Sequence, residues 1–268
     1  MCFENILIYF AYLNTMKPSS IILPLCCILL ILNIGCKDDD PKPFKQDVEL
    51  SIEHQWNDSS LKLNKAYYWD HDFITDTIST TTLTYHINNL NLITADNQLI
   101  PAHLQYYMID LESKSVLPEG IKFTSPKEGV NYYVTALEFT IGVADSLTNK
   151  LGKLNSIFIA PMYWGMTQGY INFKYEALSP QANNSALIYH IGGYTKPYLN
   201  ARTIRVAFDK PYYLNKNNSL TLSANIFKLF NSANFIDVRQ IDLIHSPNAN
   251  SKLIADNMAS MFKFLSFK

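Results

Sequence analysis

From Val48 onward the chain alternates with a period of two. Val48, Leu50 and Ile52 interleave with Asp47, Glu49, Ser51 and Glu53, the pattern of a strand with one face buried. Similar runs recur at 82–87, 103–111, 136–143, 169–175, 186–191, 203–208 and 219–226. Most of the connections between them carry no helical periodicity, so an antiparallel β-sandwich or barrel-like sheet is expected. Charged residues are only 17% while Tyr and Phe number 17 and 15, which suits pleated strands better than solvent-facing helices. Two helices are expected, a short one at 146–154 and a C-terminal one after Pro247. The latter rests on the spacing of Leu253, Ile254, Asn257, Met258, Met261, Phe262 and Leu265. Six of the nine glycines fall between Gly142 and Gly193, which points to tight loops over a compact centre.

The cysteines restrict the chemistry. Cys2, Cys26, Cys27 and Cys36 all lie in the first 36 residues. No thiolate ligand or nucleophile is left for the folded part, and a metal there must use His, Met, carboxylates or backbone. Residues 21–34, IILPLCCILLILNI, form a charge-free run of 14, too short for an ordinary spanning helix and suited to the core of an export signal. Initiation at Met16, followed by Lys17, gives a compact signal; initiation at Met1 adds a second apolar run. The end of the run, Leu32-Asn33-Ile34-Gly35-Cys36, resembles the lipobox of bacterial lipoproteins, with Cys36 as the lipidated residue. Lys37-Asp38-Asp39-Asp40 resembles the acidic tag of surface lipoproteins of Bacteroidetes, and also reads as a plain charged tether. The expected organisation is an upstream segment and signal at 1–35, a tether at 36–46 and one β domain at 47–268. The expected location is the outer membrane, facing the periplasm or the outside, with the membrane engaged through the lipid on Cys36.

A formal charge of -1 gives no global field for nucleic acid, which excludes it as a partner. Phosphate loops, dinucleotide fingerprints, zinc-protease helices and G-x-S-x-G elbows do not occur, so no enzyme is expected. Asp70-His71-Asp72 lacks a placed nucleophile, and Asp70, Asp72 and Asp76 lack the glycine and distal glutamate of an EF-hand.

Three short motifs then occur in order. They are Phe139-Thr140-Ile141-Gly142-Val143, Met162-Tyr163-Trp164 with Gly169-Tyr170, and Tyr189-His190-Ile191-Gly192-Gly193. Together with His54, Leu61-Lys62-Leu63-Asn64, His245 and Ile254-Ala255-Asp256-Asn257, they resemble the MbnP-like family of exported β-rich proteins. The resemblance spans Val48 to Phe264 and implies a copper-binding function. In the copper-binding relatives two histidines and an oxidised tryptophan hold the metal; here the tryptophans are Trp56, Trp69 and Trp164. Met166 stands where the family often has a second tryptophan.

Strand parity sorts the histidines. His54 follows Val48, Leu50 and Ile52 onto the apolar face, where an imidazole needs a partner or a metal. His190 precedes a glycine pair that would let its ring meet the loop of Trp164, and His245 stands before the last helix. His54, His190 and His245, with Met166 as a thioether, are the candidate copper ligands, because copper(I) takes imidazole and soft sulfur; each also reads as a packed core or anchoring residue. Trp164 and Tyr170 are the candidate site wall. His71, His86 and His103 read as surface residues.

The competing reading is a metal-free interaction module. In it Tyr67, Tyr68 and Trp69 present aromatic faces to a glycan, a peptide or an outer-membrane partner protein, although alternate members of that cluster also read as core.

The anchoring expectation has a direct test. Cys36→Ser should abolish metabolic fatty-acid labelling and move the protein from the membrane to the soluble fraction of the producing cell. Persistent labelling would refute Cys36 as the anchor.

Overall fold

A computed structural model describes residues 45–71, 74–113, 120–143, 162–165 and 169–268. The expected signal, Cys36, the helix at 146–154 and Met166 lie outside them. The compact unit runs from Phe44 to Lys268.

Among the described residues the strands form two sheets that do not close into a barrel. The smaller sheet is built on β1 (Asp47–Trp56), flanked by β2 (Ser59–Ser60), β7 (Ile121–Thr124) and β13 (Asn217–Asn225), with β15 (Phe262–Phe267) beyond β13. The larger sheet is organised by β4 (Ile74–Thr94). One edge of β4 carries β10 (Gly169–Leu178) and then β8 (Tyr133–Ile141). The other carries β3 (Ala66–His71), β6 (Tyr106–Asp110) and β5 (Leu99–Pro101). Beyond β8 lies β12 (Arg202–Tyr213). Beyond β10 come β11 (Ala186–Gly192) and β14 (Leu243–Ile244), and β9 (Tyr163–Gly165) forms a hairpin with the start of β10. The expected antiparallel order holds for most pairs, but β1 with β13 and β11 with β14 run parallel.

Thr- and Ile-rich β4 suits a pleated surface. Leu83, Tyr85 and Ile87 face the core, then Asn89 takes φ 53° within a register shift and the apolar parity resumes at Leu90 and Leu92. Asparagine is the residue that tolerates this left-handed position most readily. The core lies between the two sheets. Phe262 meets Phe139 edge-on at 5.0 Å and Tyr85 at 6.3 Å, joining β15 to the larger sheet.

The C-terminal helix is shorter than expected. α1 spans Ala249–Met258, opened by a capping box in which Asn248 and Ser251 each accept from the other's backbone N–H. Phe262 and Leu265 belong instead to β15, where a register shift opposite Thr221 and Leu222 lets Phe262 and Phe267 both face inward. Apolar residues at three- and four-residue spacing were compatible with a helix up to Met261, but cross-strand pairing with β13 prevails after it. Among the described residues no helix is long and apolar enough to cross a membrane.

This assignment predicts unequal costs at the C-terminus. Phe262→Ala should lose about 3–5 kcal/mol of unfolding free energy in a urea titration, while Leu265→Ala, 43% exposed, should change it by less than about 0.5 kcal/mol. Equal losses would favour the longer helix.

Candidate metal-binding face

Strand parity divides the histidines between the two faces of the larger sheet. Tyr85 points inward, and its hydroxyl lies 2.8 Å from His54 Nε2 on β1. His54 is therefore between the sheets, next to Tyr85, whose ring also meets Phe173 and Phe262. His190 alternates with buried Tyr189 and Ile191 and takes the opposite, outer face, paired in register with Lys174. The expected convergence of His54, His190 and His245 on one pocket does not occur, because β10 and β11 stand between the first and the other two.

His190 and His245 do meet. Parallel pairing of Ile188 with Leu243 and of Tyr189 with Ile244 makes His245 the next residue opposite His190. The Tyr189 hydroxyl donates to the Ile241 carbonyl and fastens this edge. The rings approach to 5.3 Å between centroids at 76°. His190 Nε2 lies 2.8 Å from Glu176 Oε1, and Lys174 Nζ lies 3.2 Å from the same oxygen. Burial lowers the pKa of His190, against the opposing pull of Glu176, so the ring is neutral at pH 7. Burial raises that of Glu176, but His190, Lys174 and Thr82 together hold it below the ordinary carboxylate range. A neutral His190 donating Nε2–H to Glu176 leaves its Nδ1 lone pair unprotonated.

Trp164 closes one side of this edge. A Cβ on Gly192 would come within 2.5 Å of Trp164 Cζ3 and of the Tyr170 carbonyl oxygen, so only glycine admits the ring there. At Gly193, φ 115° and Pro247 packed against the backbone turn the chain beside His245. Next to it opens a cavity of about 290 Å³ lined by Tyr194, Tyr198 and Pro247. Of the three tryptophans, Trp56 and Trp69 lie in the apolar core with Phe230, and Trp164 is the one that reaches the His190 strand. The expected wall divides. Tyr170 faces His86 instead, edge-on at 6.1 Å.

Two expectations about surfaces are corrected. His86 is fully buried, not exposed; Tyr106, Tyr163 and Tyr170 cover its polar parity. Tyr67 and Trp69 are buried, leaving Tyr68 as the one exposed member of the proposed aromatic platform. His103 is exposed and bonded to Thr124. Asp76 is buried and accepts from the Thr77 N–H and the Ser179 hydroxyl, so it serves the fold. Glu176 and Lys174 were missed by the sequence reading. Their only signal was their place on the same parity of the 169–175 run, continued to 176, with His190 opposite in the next strand.

Among the described residues no group of three or more His, Cys, Asp or Glu side chains is spaced to hold a metal. A cation on this face would have two imidazole ligands, with Glu176 behind one of them.

The family model described as MbnP matches residues 45–250. A solved structure, MbnP from Methylosinus trichosporium, aligns with a TM-score of 0.47 at 11% identity, covering 72% of this chain and 80% of that one. No curated protein matches.

His54 carries a pH prediction. Burial pushes its pKa from 6.5 down to about 4. Between those values the unfolded chain holds a proton that the folded chain lacks, so stability falls as pH falls from 6.5 toward 4 and is regained as pH rises. The loss attributable to His54 is at most roughly 3 kcal/mol. His54→Gln keeps a partner for Tyr85 without titrating, and should reduce the slope of the unfolding free energy against pH in this window, leaving the part due to buried His86. An unchanged slope would contradict the assignment.

Proposed function

Because the chain belongs to the MbnP family, we propose that it is an exported, lipid-anchored, non-catalytic protein that binds copper(I) between His190 and His245. The observation that carries this reading is the meeting of the two rings at 5.3 Å with Glu176 on the far nitrogen of His190. A carboxylate accepting from one imidazole nitrogen fixes the tautomer and presents the other to a metal.

The residues fit a soft cation that is content with few ligands. Both are imidazoles, which suit copper. The adjacent charges of Glu176 and Lys174 cancel, which favours a monovalent over a divalent ion. His190 Nδ1 and a His245 nitrogen would hold it, Trp164 would shield it from water, and the cavity at Tyr194 and Pro247 would admit it. Outer-membrane placement, facing the periplasm or the outside, is part of the same proposal and rests on the resemblance of Leu32–Cys36 to a lipobox. The aromatic-platform alternative loses support, since burial of Tyr67 and Trp69 leaves no contiguous platform at that place.

The test is competition for copper(I) with a chromogenic chelator. His190→Ala and His245→Ala should each remove the corresponding binding equivalent. Glu176→Gln should weaken it by roughly 10–100-fold, and His54→Gln should leave it unchanged. Undiminished binding in His190→Ala would refute the site.

A further inference from the structure

His86 is a residue for which the fold makes no evident use. It lies on the outer face of β4, where β10 and β8 part company, and it is 0% exposed. Its Nδ1 lies 2.7 Å from the Tyr106 hydroxyl, while its Nε2 is buried without a hydrogen-bond partner. Leaving a ring nitrogen buried without a partner destabilises the fold unless something else occupies it. Tyr106 lies over one side of the ring at 5.3 Å, and Tyr170 meets it edge-on. Directly opposite on β6, on the same face, is Met108, half-buried. Residues opposite each other across an antiparallel pair have Cβ atoms about 4.5–5.5 Å apart, well within the reach of a methionine side chain.

We infer that His86 and Met108 form a second site, for a soft monovalent cation such as copper(I) or silver(I), buried beneath Tyr106 and Tyr170. With Nδ1–H donating to the Tyr106 oxygen, Nε2 bears the lone pair and its direction is fixed by the hydroxyl, as an outer-shell partner fixes a ligating histidine. The thioether supplies the second, soft ligand. The rings against His86, Tyr106 and Tyr170, and the neighbouring Asn88 and Asn172 are uncharged, and the nearest carboxylate along β6, Asp110, is held by the Thr84 hydroxyl and the Glu112 N–H, so a doubly charged ion would meet a large desolvation penalty with no free anion to offset it. Strand β10 runs between this site and the His190–His245 edge, and the two are independent.

The cluster has a structural alternative. Asn88 Oδ1 and Asn172 Nδ2 are also buried without partners, while Asn88 donates to the Gly142 carbonyl and Asn172 accepts from the Val143 N–H at 2.9 Å. Buried water satisfying all three orphaned atoms would give this cluster a purely structural role.

Calorimetric titration of the folded chain with silver nitrate in chloride-free buffer separates the two. The His190→Ala/His245→Ala double variant should still bind one equivalent of silver. Adding Met108→Leu, a swap that conserves volume and is usually tolerated, should weaken that equivalent at least tenfold, and His86→Phe should abolish it. X-ray absorption of the copper(I)-loaded double variant should show a sulfur neighbour that Met108→Leu removes. Silver binding that is absent from the double variant, or unaltered by Met108→Leu and His86→Phe, would overturn the inference. Loss of the His190–His245 equivalent alone leaves it standing, so the two sites fail separately.

Discussion

The alternation of β4 decides where His54 and His86 can act. Its 21 residues pair with β3, β5, β6, β8 and β10, and consecutive side chains at Tyr85 and His86 are sent to opposite faces. Tyr85 is thereby committed to the space between the sheets, where it receives His54; His86 is committed to the outer face, where Tyr106 receives it. A shift of one residue in this strand would exchange the two environments. Asn89, at φ 53°, resets the alternation so that Leu90 and Leu92 again face the core.

Packing follows from that division. The inner face is closed by aromatic rings, Phe139 and Phe173 from the larger sheet, Phe262 from the smaller and Phe230 from the turn after β13, and Tyr85 is buried among them with half-buried His54 on its hydroxyl. On the outer face the polar row of β10 and β11 is only half covered. There Glu176, Lys174 and His190 satisfy one another, and the parallel pairing of β14 adds His245. α1 is tied to this edge through Asn200, which donates to the Gly192 carbonyl and to Ser251, and to β12 at the opposite edge of the sheet through Arg202, which pairs with Asp256 at 2.6 Å.

Much of the fold was legible in the residues, because period-two patterning reports directly on burial. The runs at 48–52, 186–191 and 203–208 lie within β1, β11 and β12. Short elements such as β7 and β14 carried too few residues to show a period. β15 was hidden because Phe262 and Leu265 continue the spacing of the helix before it. Of the candidate site, the approach of Trp164 to the strand of His190, at Gly192, was suggested by the glycine pair. That His54 faces the core and needs a partner there was legible from its parity; that the partner is Tyr85 was not, since parity names a face within one strand but cannot say which side of a second sheet that face will meet. His86 was misread for a related reason. A polar parity implies solvent only if nothing covers it, and here Tyr106, Tyr163 and Tyr170 do.

The central claim is that the His190–His245 edge, rather than the inward-facing His54, is where the protein holds copper. Anomalous scattering at the copper edge from crystals of the copper(I)-loaded protein tests it most directly. A peak bridging the His190 and His245 rings, with none beside His54, is the predicted result. A peak at His54 with the outer pair empty would contradict it.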